Sequence, residues 1–492
     1  MNMKLYQHRY WFLILVAMVM SACKKEFLDV VPKGKIVAQA TSDYDKILNS
    51  PDLYFYSFSG GWQSMVLMGD DVAAEGSYFA SASVQSQNAF NYVADIHRAQ
   101  DDTFDIKLYM SNLYTINKVI NEIDDSTEGT TAQKSALKAE ALANRAWIYF
   151  QLINIYAKPY NAATAAQDAG FPIIKIADIN LGPFMRNSIA EVYAFIIDDF
   201  KQAISSLPLK NTFATRFSKP AAEGLLAKTY LFMGRNTEAL EMFNAAMNDI
   251  SAQSNPAKLY DYNVEFAPGG KFDPIGYNGP NNSPGINYND VSESVLARTF
   301  YNGPYAGNEF GNDFIVLSPK ADALFSANDL RLNFYGAFFP YSTPNPSNRL
   351  SKYAVNYSKF GLQLSECYLL RAECNARLNN LSAAVTDLQF LRAHRMPAND
   401  AMVPAQASAN KESLVKFIME ERTREFAAEG YRWFDMRRCS IDPIFAGEHY
   451  EHIIYKDETA NNFTNIPLPN NRLTLRLPPI VMAANPSFTN NP

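Results

Sequence analysis

Between residues 220 and 246 the chain repeats a spacing that commits it to paired helices. Ala227, Tyr230 and Gly234 are followed by Ala239, Phe243 and Ala246, at steps of three, four, five, four and three residues. Steps of three and four place side chains on one face of a helix. The glycine between them supplies a turn, the alanines let two helix axes approach closely, and the two rings fill the gap that remains. One such hairpin cannot cover its own apolar face, so it must stack on others and share a continuous core. The expected fold class is therefore mainly α, a helical-repeat scaffold.

The order of small, aromatic and glycine positions is that of a tetratricopeptide repeat, a unit of about 34 residues. Weaker copies surround it. Ala372, Ala384 and Leu388, with Asn379-Asn380 as the turn, form one pair; Phe200, Ala203 and Pro208 fit the second helix of another. The first helix of that unit falls at 132–156, with a polar insertion at 158–187 between the two. A further helix is read at 104–123, where Leu108, Leu113, Ile116, Val119, Ile120 and Ile123 make one buried face, and Ser188 is placed to cap a helix over 188–206. The segments 253–312 and 335–357 carry Asn, Gly, Pro and Tyr without a helical period, and 52–91 is also irregular and aromatic. Loops of that length are functional or disordered, and their ring content argues against disorder. The expected organisation is a leader over 1–22 and one domain over 23–492. Its repeat core lies at about 100–250 and 360–440, and its irregular lobe at about 52–91 and 253–357.

The N-terminus reads as a secretory signal. Lys4, His8 and Arg9 precede ten apolar residues at 11–20, and Ser21-Ala22-Cys23 closes the run. Ten residues fall short of the roughly 20 that span a bilayer. Small residues directly before Cys23 resemble the bacterial lipobox, in which the cysteine is acylated and holds the protein to a membrane. The body carries 48% hydrophobic and 19% charged residues, a globular balance, and its net charge of −6 argues against a nucleic-acid partner. The remaining cysteines are Cys367, Cys374 and Cys439. The first two lie roughly 10 Å apart along a helix at about 1.5 Å per residue, too far for a disulfide, so all three read as packed thiols.

No motif for a nucleophile, a phosphate loop or a metalloprotease occurs. Residues 421–438 pack acids and bases densely, but pairing along one helix and a stop at Gly430 explain them structurally. His449 and His452 sit three apart without a third ligand, so no metal is expected. Asp70-Asp71 would face opposite sides of a strand, which makes them poor joint ligands and leaves one, Asp71, free to accept a ligand hydroxyl. The better candidates are rings in polar loops, where a flat apolar face meets the C–H face of a sugar and amides satisfy its hydroxyls. Tyr78 with Gln85, Gln87 and Asn88 forms one such mixture. Tyr277, Tyr288, Phe300, Tyr301 and Tyr305, interleaved with asparagines, form another. The expected ligand-binding set is Asp71, Tyr78, Asn88, Tyr277, Tyr288 and Tyr301, with no catalytic residue and no cofactor.

Ordered short matches run through nearly the whole chain. They begin with Cys23, Leu28-Asp29 and Pro32, and continue with Leu113-Tyr114, Glu140-Ala141, Arg145-Ala146 and Tyr149-Phe150. Later come Arg371-Ala372-Glu373, Glu421-Arg422, Glu425-Phe426, the run from Glu429 to Arg438, and Leu477-Pro478-Pro479. In this order they resemble the SusD/RagB family, outer-membrane nutrient-binding lipoproteins of Bacteroidetes. The resemblance implies a repeat scaffold with an irregular lobe that carries the ligand site. It also implies a SusC-like TonB-dependent transporter as partner and a position on the outer membrane, lipid-anchored at Cys23 and facing outward. The expected function is capture of an oligosaccharide or polysaccharide for delivery to that transporter. Peptide capture by the same system and an envelope glycan hydrolase are the alternatives.

Overall fold

Two side-chain caps set where the scaffold helices begin. The Thr130 hydroxyl accepts the Gln133 N–H while Gln133 Oε1 accepts the Thr130 N–H, and Ser188 with Glu191 repeats the exchange. Each satisfies N–H groups that a helix start leaves unpaired. The computed structural model describes residues 38–57, 62–101, 103–276, 279–301, 313–339, 343–353 and 357–492. Its helices of eight or more residues are α1 (Thr41–Leu48), α2 (Phe104–Glu122), α3 (Thr131–Tyr156), α4 (Ile189–Ile204), α5 (Lys219–Phe232), α6 (Asn236–Ser251), α7 (Leu364–Arg377), α8 (Leu381–Ala393), α9 (Lys411–Phe426) and α10 (Tyr431–Cys439).

Neighbours in sequence pack as antiparallel pairs: α2 on α3, α3 on α4, α5 on α6, α7 on α8. The hairpin read from the spacing is there. Ala227, Ala239, Phe243 and Ala246 are fully buried, and Gly234 turns with φ +74°, a conformation that favours glycine. Asn379 makes the equivalent turn at φ +65°. Although 252–363 separates them, α6 packs directly against α7. The loop-rich segment is thus hung on a stack of helices that remains continuous.

Two small sheets tie the remaining chain together. In one, the strands β2 (Val72–Glu75), β4 (Ile315–Leu317), β6 (Glu451–Tyr455) and β7 (Phe463–Pro467) run in the spatial order β7-β6-β2-β4. In the other, β1 (Phe55–Ser57) pairs parallel and β5 (Tyr357–Lys359) antiparallel with a central β3 (Thr299–Tyr301). The 52–91 stretch is more ordered than its composition implies. It holds a helix at Trp62–Met68, the strand β2 and a helix at Val84–Phe90, and Met65, Val72 and Phe90 lie in the core. Elements of four to seven residues are too short to display a period.

Buried charge joins the inserted lobe to the stack. Arg331, from the lobe, pairs with Glu421 (2.7 Å) and Glu425 (3.1 Å) of α9. Arg395, just after α8, spans Glu425 (2.8 Å) and the lobe's Glu293 (2.9 Å). Arg392 and Arg424 complete the ring around Glu421. Burial pushes the Glu421 carboxyl up, but Arg331, Arg424 and Arg392 outweigh it and hold the group down at about 2.

Glu421→Gln leaves these arginines without their shared counter-charge, a loss of about 3–5 kcal/mol for a broken buried pair, measured as a fall in the urea midpoint. The pH dependence has a defined sign. The folded value lies below the roughly 4.3 of a free glutamate, so this stabilisation is complete above about pH 5 and disappears as pH falls through about 2. The variant should lose less stability than the parent across that window. An unchanged urea midpoint would mean that the carboxylate does not hold the interface.

Candidate ligand-binding site

The β1-β3-β5 sheet divides its side chains by the period of two that a strand imposes. Tyr56, Phe300 and Ser358 lie opposite one another and are buried. Tyr56 packs against Phe360 (5.2 Å), Tyr109 (5.7 Å) and Trp147 (5.8 Å), the last two from α2 and α3. Phe55, Tyr301 and Tyr357 occupy the other face and are only half-buried. Tyr301 stacks on Tyr357 at 5.4 Å and on Phe55 at 6.0 Å, with ring planes within 29° and 26°. Tyr288, half-buried, arrives from the loop before β3 and sets its edge on Phe55 at 5.1 Å. Four rings thus form one platform at the surface of the lobe, backed by the repeat helices.

Beneath it, the buried Lys359 Nζ donates to the Tyr288 carbonyl (3.2 Å) and to Thr299 Oγ1 (3.3 Å), 5.8 and 5.7 Å from the ring centres of Tyr288 and Tyr357. Burial lowers its pKa to about 8. The Tyr288 phenol is pushed up to about 12, by burial first and then by Tyr54. At neutral pH it is uncharged and able to donate. Parallel rings with a neutral phenol and a cation close by suit a ligand that presents polarised C–H groups and hydroxyls.

Of the residues singled out in the sequence, the structure brings Tyr288 and Tyr301 together. Cys23, Tyr277 and Tyr305 fall outside the described residues. Asp71 is buried at the wall of a cavity of about 230 Å³ that it lines with Asp70 and Arg432; its Oδ2 accepts the Ala428 N–H at 2.8 Å, and burial raises its pKa to about 6. Asp70 is buried between Arg432 and Lys320. Asn88 is spent on the local fold, donating to the Ile96 carbonyl at 3.2 Å, as Gln87 does to that of Ala82 at 2.8 Å. Tyr78 is half-buried against the core, on the short helix after β2. Phe300 is core. His452 is buried between the rings of Phe90 and Tyr92, both its nitrogens against carbonyl oxygens. Cys367, Cys374 and Cys439 are buried free thiols, and burial lifts that of Cys439 to about 12. In 421–438, Glu421, Arg422, Glu425, Asp435 and Arg438 are consumed in ion pairs. Phe55 and Tyr357 were not singled out. Each stands in a three-residue strand, and only pairing with β3 reveals it as part of a surface.

Helical hairpins that carry a loop-borne aromatic platform define a mainly α repeat scaffold with one ring surface. Two family models match the chain: one described as starch-binding associating with outer membrane, over residues 26–231, and the SusD family, over 346–484. The chain belongs to the SusD/RagB family. A SusD-like protein of Bacteroides ovatus is 26% identical over 44% of this chain and 37% of its own length. The SusD-like protein P2 of Formosa agariphila is 24% identical over 62% of this chain and 66% of its own, so the match spans less than two thirds of either relative. Among solved structures, a SusD superfamily protein of Bacteroides thetaiotaomicron superposes with a TM-score of 0.69 at 18% identity, covering 92% of this chain and 100% of that one. A SusD-like carbohydrate binding protein of Bacteroides vulgatus gives 0.64 at 17% identity, over 91% and 97%.

Proposed function

We propose that this protein is a cell-surface lipoprotein that holds an oligosaccharide on the Phe55–Tyr288–Tyr301–Tyr357 platform and passes it to a SusC-like TonB-dependent transporter. The observation that carries the reading is the platform: three half-buried rings held in register by strand pairing and a fourth, the neutral phenol Tyr288, from the adjoining loop, with a lysine beside them. Carbohydrate binding by related proteins supports the ligand class. Peptide capture by strand addition would find little length in the three-residue edges of β1 and β5. A hydrolase would need two carboxylates flanking one bond, whereas Asp70, Asp71, Glu421 and Glu425 are engaged inside the fold.

Among the described residues no helix is long and apolar enough to cross a membrane, and acylated Cys23 is the attachment this reading requires. The 158–187 insertion exposes Ile176, Ile179 and Met185, at 58%, 84% and 76%. Exposed apolar side chains gathered on one segment fit a protein contact, here with the transporter barrel.

Tyr301→Ala and Tyr357→Ala should each weaken binding of a glycan found by affinity electrophoresis about tenfold, equivalent to 1.4 kcal/mol. Each should cost less than about 1.5 kcal/mol of stability, the upper end for one aromatic pair. Tyr56→Ala, which empties the buried face, should cost about 3–5 kcal/mol. Undiminished binding in both surface variants would place the ligand elsewhere, and release of product from the glycan would make the protein an enzyme. Cys23→Ala should leave the protein out of the outer-membrane fraction. Mild detergent should recover the parent with a large barrel protein, a complex that Ile179→Asp with Met185→Asp should weaken. A Cys23→Ala protein that still fractionates with outer membrane would end the lipoprotein reading.

A further inference from the structure

The chain that carries the platform runs straight on into a second concavity. Tyr288 belongs to the rings, and the next residue, Asn289, lines a cavity of about 390 Å³ whose far wall is the 210–218 segment and the end of α6. Its charge is out of keeping with the rest of the molecule. The chain has 50 acidic residues against 44 Lys and Arg, yet the cavity lining includes Lys210, Arg216 and Lys258 and no Asp or Glu.

Arg216 is already neutralised, by Glu140 and by Asp45 at 2.9 Å. Among the described residues neither lysine has a carboxylate partner. Lys210 Nζ donates to the Asn255 carbonyl at 2.9 Å, which holds its ammonium at the cavity wall. On the same lining Phe213 is 59% exposed, a large ring left in water. An exposed ring, a side-chain amide and two unneutralised ammonium groups match a sugar that bears an anion. A neutral sugar would leave both lysines unused, and a simple anion would leave the ring unused.

We propose that this cavity is an acidic-sugar subsite, which receives the carboxylate or sulfate ester of a glycan whose neighbouring unit lies on the platform. The inference rests on the oligosaccharide reading and narrows it to anionic glycans. The anion pairs with Lys210 and Lys258, the sugar face lies on Phe213, and Asn289 bonds a hydroxyl. No bond is made or broken. Pairs held at a solvent-exposed rim weaken with added salt, since screening acts over about 8 Å at physiological ionic strength.

The test is affinity electrophoresis of the full mature chain against a panel of neutral and acidic polysaccharides. The panel includes polygalacturonate with its methyl ester, and carrageenan with its desulfated form, which separates carboxylate from sulfate recognition. The expected result is tighter binding of an acidic polymer than of its charge-capped counterpart, with affinity falling as salt rises. Lys210→Ala with Lys258→Ala should lose about tenfold or more on the acidic form and nothing on the capped form. Both side chains are exposed, so the double variant folds, which its unfolding midpoint checks. Tyr301→Ala should weaken both forms. Equal binding of acidic and capped forms, or of parent and double variant to the acidic form, overturns the subsite. Binding of neutral polysaccharides alone also overturns it while the glycan reading stands. Binding of no polysaccharide overturns both.

Discussion

The ion lattice between Arg331, Glu421, Glu425, Arg395 and Glu293 is the interaction on which the architecture turns. Helical repeats account for their own packing, because each hairpin buries its neighbour's apolar face. The inserted lobe has no such periodicity and few long elements, so it cannot be held by a repeating apolar seam. Its inward apolar residues, among them Leu296, Phe300 and Leu362, join the scaffold core, and charges that left water to meet partners of fixed geometry fix where it docks. Such pairs add little net stability over apolar packing, but leaving one partner alone is expensive. Misplaced docking is therefore penalised heavily. The same device recurs where Lys352 of the lobe pairs with Glu429, and where Asp70 sits between Arg432 and Lys320.

This docking explains how short strands can present a binding surface. Three-residue strands in a three-stranded sheet would be marginal alone. Here Tyr56 is anchored among Tyr109, Trp147 and Phe360, so the inward face of the sheet is part of the scaffold core. The outward rings are thus held in place by the fold itself, and a ligand that used them would not spend affinity on ordering them. The scaffold supplies position and the lobe supplies chemistry, the usual division between rigid elements and functional loops.

Local rules were legible in the residues. The spacing from Ala227 to Ala246 gave the hairpin, Ser188 gave a helix start, and the lack of period in 253–312 gave a loop-rich segment. What depends on long-range pairing was not. Tyr288 and Tyr301 could be singled out as rings in polar sequence, but Phe55 and Tyr357 join them only through strands that pair residues distant in the chain, Phe55 with Thr299 and Tyr357 with Tyr301. Asp71 has the composition of a ligand-facing acid, and the N–H of Ala428, brought in from α9's far end, claims it. Nothing local to Arg331 or Arg395 announces that Glu421, Glu425 and Glu293 converge on them. The two lysines of the cavity were invisible for the same reason, since Lys210 and Lys258 belong to different segments.

In this protein the repeats would hold and the lobe would bind. Hydrogen–deuterium exchange followed by mass spectrometry, with and without a saturating glycan ligand, tests it across the whole chain at once. The expected result is slowed exchange in peptides covering 55–57, 285–301 and 357–359, with the α5–α6 hairpin unchanged. Protection confined to the repeat helices, with those three segments unaffected, would contradict it.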